Sequence, residues 1–394
     1  MSDILPPDSL LDHYKKNVVD VQYLLADRKE FSIIFSTVDT DGPSRDGARL
    51  LAQIHTIRSQ APGQTALLAD AVKEKYDMLK VILNQKHFTE NDAMASLHLI
   101  SSFLFDGGGG EWEEWLNVAC SYCEQLLSRY SGIVDTLCNC NPQERFLLKT
   151  TIWFDVLASV TTLQSPRLLL HIRELCGPNA SGVYDPSNAG TPAELSMMSV
   201  MGCENSVVWA LAETSALSAW KRSQEAHGRL SVPDLVSKGL DIGRCLTPSP
   251  APLLQPTMMQ TSVEQLRHST AEIFHASARI YLSSVVSGDH VSIREIAEAV
   301  EDFMDCVRRI PLVSDSRSAI VRSTVFSFFI CGSFTDNPNY RQEIIDHLDH
   351  GEGPGNSRTV RCMLREIWSS RASKKRSESV PWRKMLHEHK LLLV

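Results

Sequence analysis

Glu301, Asp302 and Asp305 are the residues best spaced for catalysis in this chain. On a helix, acids at i, i+1 and i+4 share a face, and such a face can hold magnesium against a pyrophosphate. A helical magnesium-dependent lyase also needs a second set of Asn, Ser and Glu downstream at helical spacing. The next helical stretch offers Ser316-Arg317 and Arg322-Ser323 instead, so the acidic triplet reads as a solvated helix face. Cys120-x-x-Cys123, with Cys138-Asn139-Cys140 fourteen residues further on, has a superficial zinc-ribbon spacing. Zinc knuckles require non-helical backbone, whereas Trp115, Leu116, Val118, Tyr122, Leu126 and Leu127 give the first pair a helical surround. These cysteines read as thiols packed like small apolar groups.

Gly107 to Gly110 invites a phosphate-loop reading, but a helical stretch precedes it and Glu111-Trp112 follows. A phosphate loop needs a following Lys-Ser/Thr or a preceding strand. Carboxylates at Glu111, Glu113 and Glu114 would repel phosphate, so the glycines read as a turn between helices. His347 and His350 lie at i, i+3, a spacing that can hold a metal, yet they border the loop at Gly351 and read as a surface helix end. His387-Glu388-His389 lacks metalloprotease spacing, and no Gly-x-Ser-x-Gly elbow occurs. Nothing assembles a nucleophile, a base and an orienting group. The chain is therefore read as no enzyme, with no catalytic, cofactor-binding or metal residues.

The bulk properties agree with a binding role. The 394 residues are 43% hydrophobic and 22% charged, a globular composition large enough to need no disulfide or metal staple. The net charge is −8, from 47 acidic and 39 basic residues, and the strongest basic run is Lys374-Lys375-Arg376. A nucleic-acid grip normally shows a basic patch, and this short run reads as a solvated loop. The binuclear zinc cluster of C-x2-C-x6-C halves is absent from the sequence, so no direct DNA contact is expected of this chain. The ten scattered cysteines are not a disulfide scaffold. No signal peptide stands at the start, and the longest apolar stretch, Val325 to Cys331, is too short to span a bilayer. An intracellular, soluble protein with no membrane partner is expected.

The elements that would position these residues are helical throughout. Apolar spacing predicts helices over 10–25, 44–60, 67–83, 93–105, 112–130, 206–225, 232–244, 263–286, 293–309 and 316–334. Thr89 to Asp92 and Asn141-Pro142-Gln143-Glu144 are helix start signals. The helix after Asn141 carries Phe146, Trp153, Leu157 and Val160 on one stripe and Ile152 and Val156 on another, which places it at a bundle centre. Trp153, Trp209 and Trp220 read as core anchors, and Asp155 and Glu213 as acids with internal partners. The expected fold is all-α, a large array of antiparallel helix pairs with no significant β-sheet. It is one domain over residues 1–394, with loops near 177–193 and 246–259; Thr247 to Pro252 is the proline-rich part.

Several blocks in order resemble the fungal-specific transcription factor domain, the middle region of fungal binuclear zinc-cluster factors. They are Leu10 to Tyr14 with Val19 to Asp27, Leu104 to Trp112 with Trp115-Leu116 and Ala119-Cys120, Thr151 to Thr161 with Ser165-Pro166-Arg167, Met201 to Asn205 with Leu211 to Glu213 and Leu217 to Lys221, and Ile367-Trp368 with Pro381 to Met385 and the apolar tail to Val394. The resemblance implies nuclear regulation of RNA polymerase II transcription, a helical array, contacts with the transcription machinery, a homo- or heterodimer with related factors, and a small-molecule effector in some members. It supplies no catalytic residues. The alternatives are a DNA-free adaptor that dimerises with full-length relatives and, less favoured, the magnesium-dependent helical lyase.

Overall fold

Start signals in the sequence become real caps. The computed structural model describes residues 7–61, 70–178, 192–246, 262–310, 314–351, 353–373 and 382–394. The first helices are α1 (Pro7–His13), a π-helical turn (Tyr14–Val18), α2 (Val19–Gln22), α3 (Arg28–Asp39), α4 (Pro43–Gln60), α5 (Asp70–Leu79) with a 3-10 turn after it (Lys80–Asn84), and α6 (Glu90–Phe105). Thr89 and Asp92 form a reciprocal capping box at the start of α6. Then follow α7 (Trp112–Leu127), α8 (Ile133–Asn139), α9 (Pro142–Thr162), α10 (Leu169–Cys176), α11 (Met198–Met201) and α12 (Asn205–Ala226). At α9 the Asn141 side chain accepts from the Glu144 N–H at 2.8 Å while the Glu144 carboxylate accepts from the Asn141 N–H at 3.2 Å. Each such cap is worth about 1 kcal/mol.

The remaining helices are α13 (Val232–Cys245), α14 (Ser262–Ser287), α15 (Arg294–Arg308), α16 (Ser314–Ser323), α17 (Val325–Ser333), α18 (Pro338–His350), α19 (Ser357–Ser373) and α20 (Trp382–Glu388). Among the described residues there is no strand, so the fold is all-α. Helix α9 is buried along nearly its whole length and packs against α3, α6, α7, α11, α12 and α20. From it, α6 leads to α4 on one side, and α12 leads to α14, α15 and α17 on the other. Buried hydrophobic residues run as one cluster from Leu10 to Leu393.

Two expectations are refined. The stretch 316–334 is two helices, broken at Thr324, which has φ −121° and ψ 26°. The buried Thr324 hydroxyl donates to the Ile320 carbonyl, and this back-bonding bends helices. Trp153 and Trp209 are buried, but Trp220 is only half-buried, with Lys238 over its ring at 5.5 Å. The deepest tryptophans are Trp112, Trp115 and Trp382. Lys374 to Arg376, Thr247 to Pro252, Pro381 and most of the two long loops lie outside the described residues.

The Gly107 to Gly110 turn is filled by the chain itself. The extended segment after α20 buries Leu391, Leu392 and Leu393 against it, and the Leu392 N–H donates to the Gly108 carbonyl at 2.8 Å. Thr161 and Asn356 donate to the carbonyls of Leu391 and Leu392. Gly108 has φ +88°, and a Cβ there would meet Leu391 Cδ1 at 2.8 Å. Glycine is required by both the backbone and the packing.

Candidate functional site

A cleft of about 100 Å3 opens where the α2 turn, α6, α9, α11 and the α16–α17 break converge. Its walls are mostly apolar: Leu25, Leu104, Phe105, Trp153, Phe154 and Val325. The rim turn is fastened by Arg267 of α14, whose guanidinium donates to the Leu25 and Ser199 carbonyls and to the Asp27 carboxylate at 2.7 to 3.0 Å. The Gln22 amide anchors the polar corner. It accepts from Tyr14 Oη at 2.9 Å, donates to Ser101 Oγ at 2.9 Å and to Tyr23 Oη at 3.1 Å, and lies 3.3 Å from His98 Nδ1. The π-helical turn is what brings Tyr14 over the His98 ring, with centroids 5.4 Å apart.

Arg322 is the one charged side chain among the described residues lining this cleft. Its Nη2 donates to the Pro354 carbonyl, and no carboxylate among the described residues forms an ion pair with it. Burial alone pulls its pKa down, to about 10, so the guanidinium stays charged at neutral pH. Burial chiefly, then His13 and Arg322, pulls the pKa of neighbouring His55 down to about 4. The sequence carried a signal for Arg322 that motif reading missed: a lone cation inside the apolar run Ala319 to Phe326.

The residues singled out for chemistry lie elsewhere and are engaged otherwise. Asp302 pairs with Arg279 of α14, and Asp305 with Arg308 of its own helix. Cys120 and Cys123 are buried in α7; burial raises both thiols, Cys123 to about 12, and Cys138 is exposed at α8. Among the described residues no group of His, Cys, Asp and Glu is arranged to hold a metal ion. Burial first, then Arg317, depresses the pKa of His347 to about 4; the Arg317 guanidinium lies 3.3 Å from that ring, a poor neighbour for a cation. His387 faces the Thr161 carbonyl at 3.1 Å.

Both acids find partners, Asp155 in the core and Glu213 half-buried. Asp155 Oδ1 accepts from the Arg167 N–H at 3.0 Å and Oδ2 from the Leu168 N–H at 2.8 Å. Burial still outweighs these donors and lifts its pKa to about 6. Glu213 accepts from the Arg173 fork, with Nη2 at 2.9 Å.

A second feature lies on the surface. Val232, Val236 and Leu240 are 60%, 41% and 61% exposed, and their i, i+4, i+8 spacing draws one apolar line along α13. The adjoining stripe of the same helix buries Leu235, Gly239 and Ile242. No described helix is long and apolar enough to cross a membrane.

A model of the family described as "Fungal specific transcription factor domain" matches residues 47–394. Among curated proteins, the ustiloxin B cluster transcription factor of Aspergillus flavus is 23% identical over 210 residues, 50% of this chain and 35% of its own length. A trichothecene biosynthesis transcription regulator of Trichoderma arundinaceum is 28% identical over 126 residues, 32% of this chain and 28% of its own. A transcription factor of Pestalotiopsis microspora is 29% identical over 196 residues, 44% and 29% respectively. The chain thus spans about a third of the length of these relatives. No solved structure matches it. With the match covering most of its residues and the all-α array in place, the chain belongs to the fungal-specific transcription factor domain family.

Proposed function

We propose that this chain is the regulatory region of a pathway-specific transcription factor. It works in the nucleus on RNA polymerase II transcription, through protein contacts and an effector held in the central cleft, and it transforms no substrate. The observation that carries this reading is the family match across residues 47–394. The printed roles of the relatives, a ustiloxin B cluster and trichothecene biosynthesis, support a biosynthetic gene cluster as the target. The single continuous core supports one regulatory unit rather than separable domains. The exposed line on α13 supports contact with a partner helix, on the transcription machinery or in a dimer with a related factor.

The test fuses the chain to a heterologous DNA-binding domain upstream of a reporter. Reporter output changes with the fusion, and the double variant V236D/L240D removes that change while holding stability within about 0.5 kcal/mol, as expected for exposed positions. A fusion without effect on the reporter, or turnover of a substrate that one cleft substitution abolishes, refutes the reading. The exposed apolar line on α13 also suits a second version, an adaptor that pairs with full-length relatives. Under it the fusion stays silent until such a relative is co-expressed.

A further inference from the structure

The cleft has a chemistry that the regulatory reading leaves open. Its walls are mostly hydrocarbon and aromatic, with Gln22, Ser101, Asn356 and Ser357 as polar members and Val394 at the edge, and a guanidinium stands among them. Arg322 is half-buried, and a charge partly withdrawn from water is costly unless a counter-ion or a full set of acceptors meets it. Arg322 has one protein acceptor among the described residues, the Pro354 carbonyl, which engages Nη2. Arginine carries five N–H donors in a planar fork. Nε and Nη1 make no hydrogen bond among the described residues, and neither is sealed from solvent. They are free to serve the open side of the cleft. A planar fork is matched by a carboxylate or phosphate taken in two parallel bonds.

The walls separate these two anions. Phe105, Trp153 and Val325 offer an apolar surface that inorganic phosphate cannot use. A volume of about 100 Å3 is on the order of a single small ring and is too small for a nucleotide. We propose that the cleft binds a small organic acid, with its carboxylate on the Arg322 guanidinium and its apolar body against Phe105, Trp153 and Val325. The proposal rests on the regulatory reading and names the class of its effector. The ligand would join three parts of the chain at once: α6, α9 and the break between α16 and α17.

The probe is benzoate, titrated into the full chain and read by calorimetry and by the shift in Tm. Benzyl alcohol is the neutral control, and inorganic phosphate the anion without a body. Benzoate binds with a Kd on the order of 1 mM, as expected of so small a ligand, and raises Tm; the alcohol and phosphate do neither. R322M weakens benzoate by about tenfold or more, and R322K, which keeps the charge but loses the fork, by at least about threefold. R322M also keeps or raises the Tm of the unliganded chain, because it removes a charge without a counter-ion. Equal binding of benzoate and benzyl alcohol, equal binding of phosphate, unchanged affinity in R322K, an unfolded R322M, or no benzoate binding at about ten times the expected Kd each overturns the proposal. Binding is read on purified protein, so a silent reporter beside intact benzoate binding sinks only the regulatory reading.

Discussion

Replacing Asp155 by asparagine separates two effects that act on one buried side chain. Asp155 is 6% exposed and accepts two backbone N–H groups with its two oxygens. Asparagine keeps one acceptor and turns an amide N–H2 toward the other donor, a loss of about 1 to 3 kcal/mol that does not vary with pH. The second effect does vary. Burial lifts the carboxyl pKa from 3.8 to about 6 in the folded chain, so the fold binds a proton over a range where the unfolded chain does not. Stability from this group is full below about pH 3.8 and is lost as pH rises through about 6. Between about pH 7 and pH 5 the wild type gains on the order of 1 kcal/mol relative to D155N. His55, His98 and His347 pull the other way, because burial holds them at about 4, 3 and 4. They are shared by both chains and cancel in the difference. Guanidinium denaturation of the pair at the two pH values, read by tryptophan fluorescence, measures it. A difference that is flat, or that shrinks on acidification, refutes the claim that burial dominates at Asp155.

H347Q removes one source of acid sensitivity. A His held at about 4 when folded costs stability as pH falls below its unfolded value near 6.5, so the variant loses on the order of 2 kcal/mol less than wild type between about pH 7 and pH 5, measured by the same denaturation. G108A sets a methyl group against Leu391 at a positive φ and lowers stability by about 2 kcal/mol or more. Its denaturation midpoint reads this directly, and a midpoint unchanged from wild type contradicts the packing described for the tail.

Helices that begin with a cap and carry a broad apolar surface were legible. Asn141 to Glu144 announced α9, and its two apolar stripes announced its central place. Helix α3 was not legible, because Phe31-Ser32-Ile33-Ile34-Phe35-Ser36-Thr37-Val38 carries β-branched and aromatic residues that suit a strand as well. Packing against α4 and α9 decides its state. The break at Thr324 was equally hidden, since nothing in an apolar run reveals which hydroxyl will bond backward. The cleft was the least legible feature. Its walls come from seven separate stretches of the chain, and the lone cation at Arg322 is the one trace of it in the sequence.

The segment from Leu391 to Leu393 has a bearing on biosynthesis. Trp112 holds the Lys390 carbonyl across 278 residues of intervening chain, and Leu392 closes onto Gly108 beside it. A nascent polypeptide on the ribosome therefore carries an unsealed greasy slot around Phe105, Gly108 and Thr161 until residue 393 has emerged. Chains cut short before that codon lack the residues that shut this seam and leave its apolar surface open.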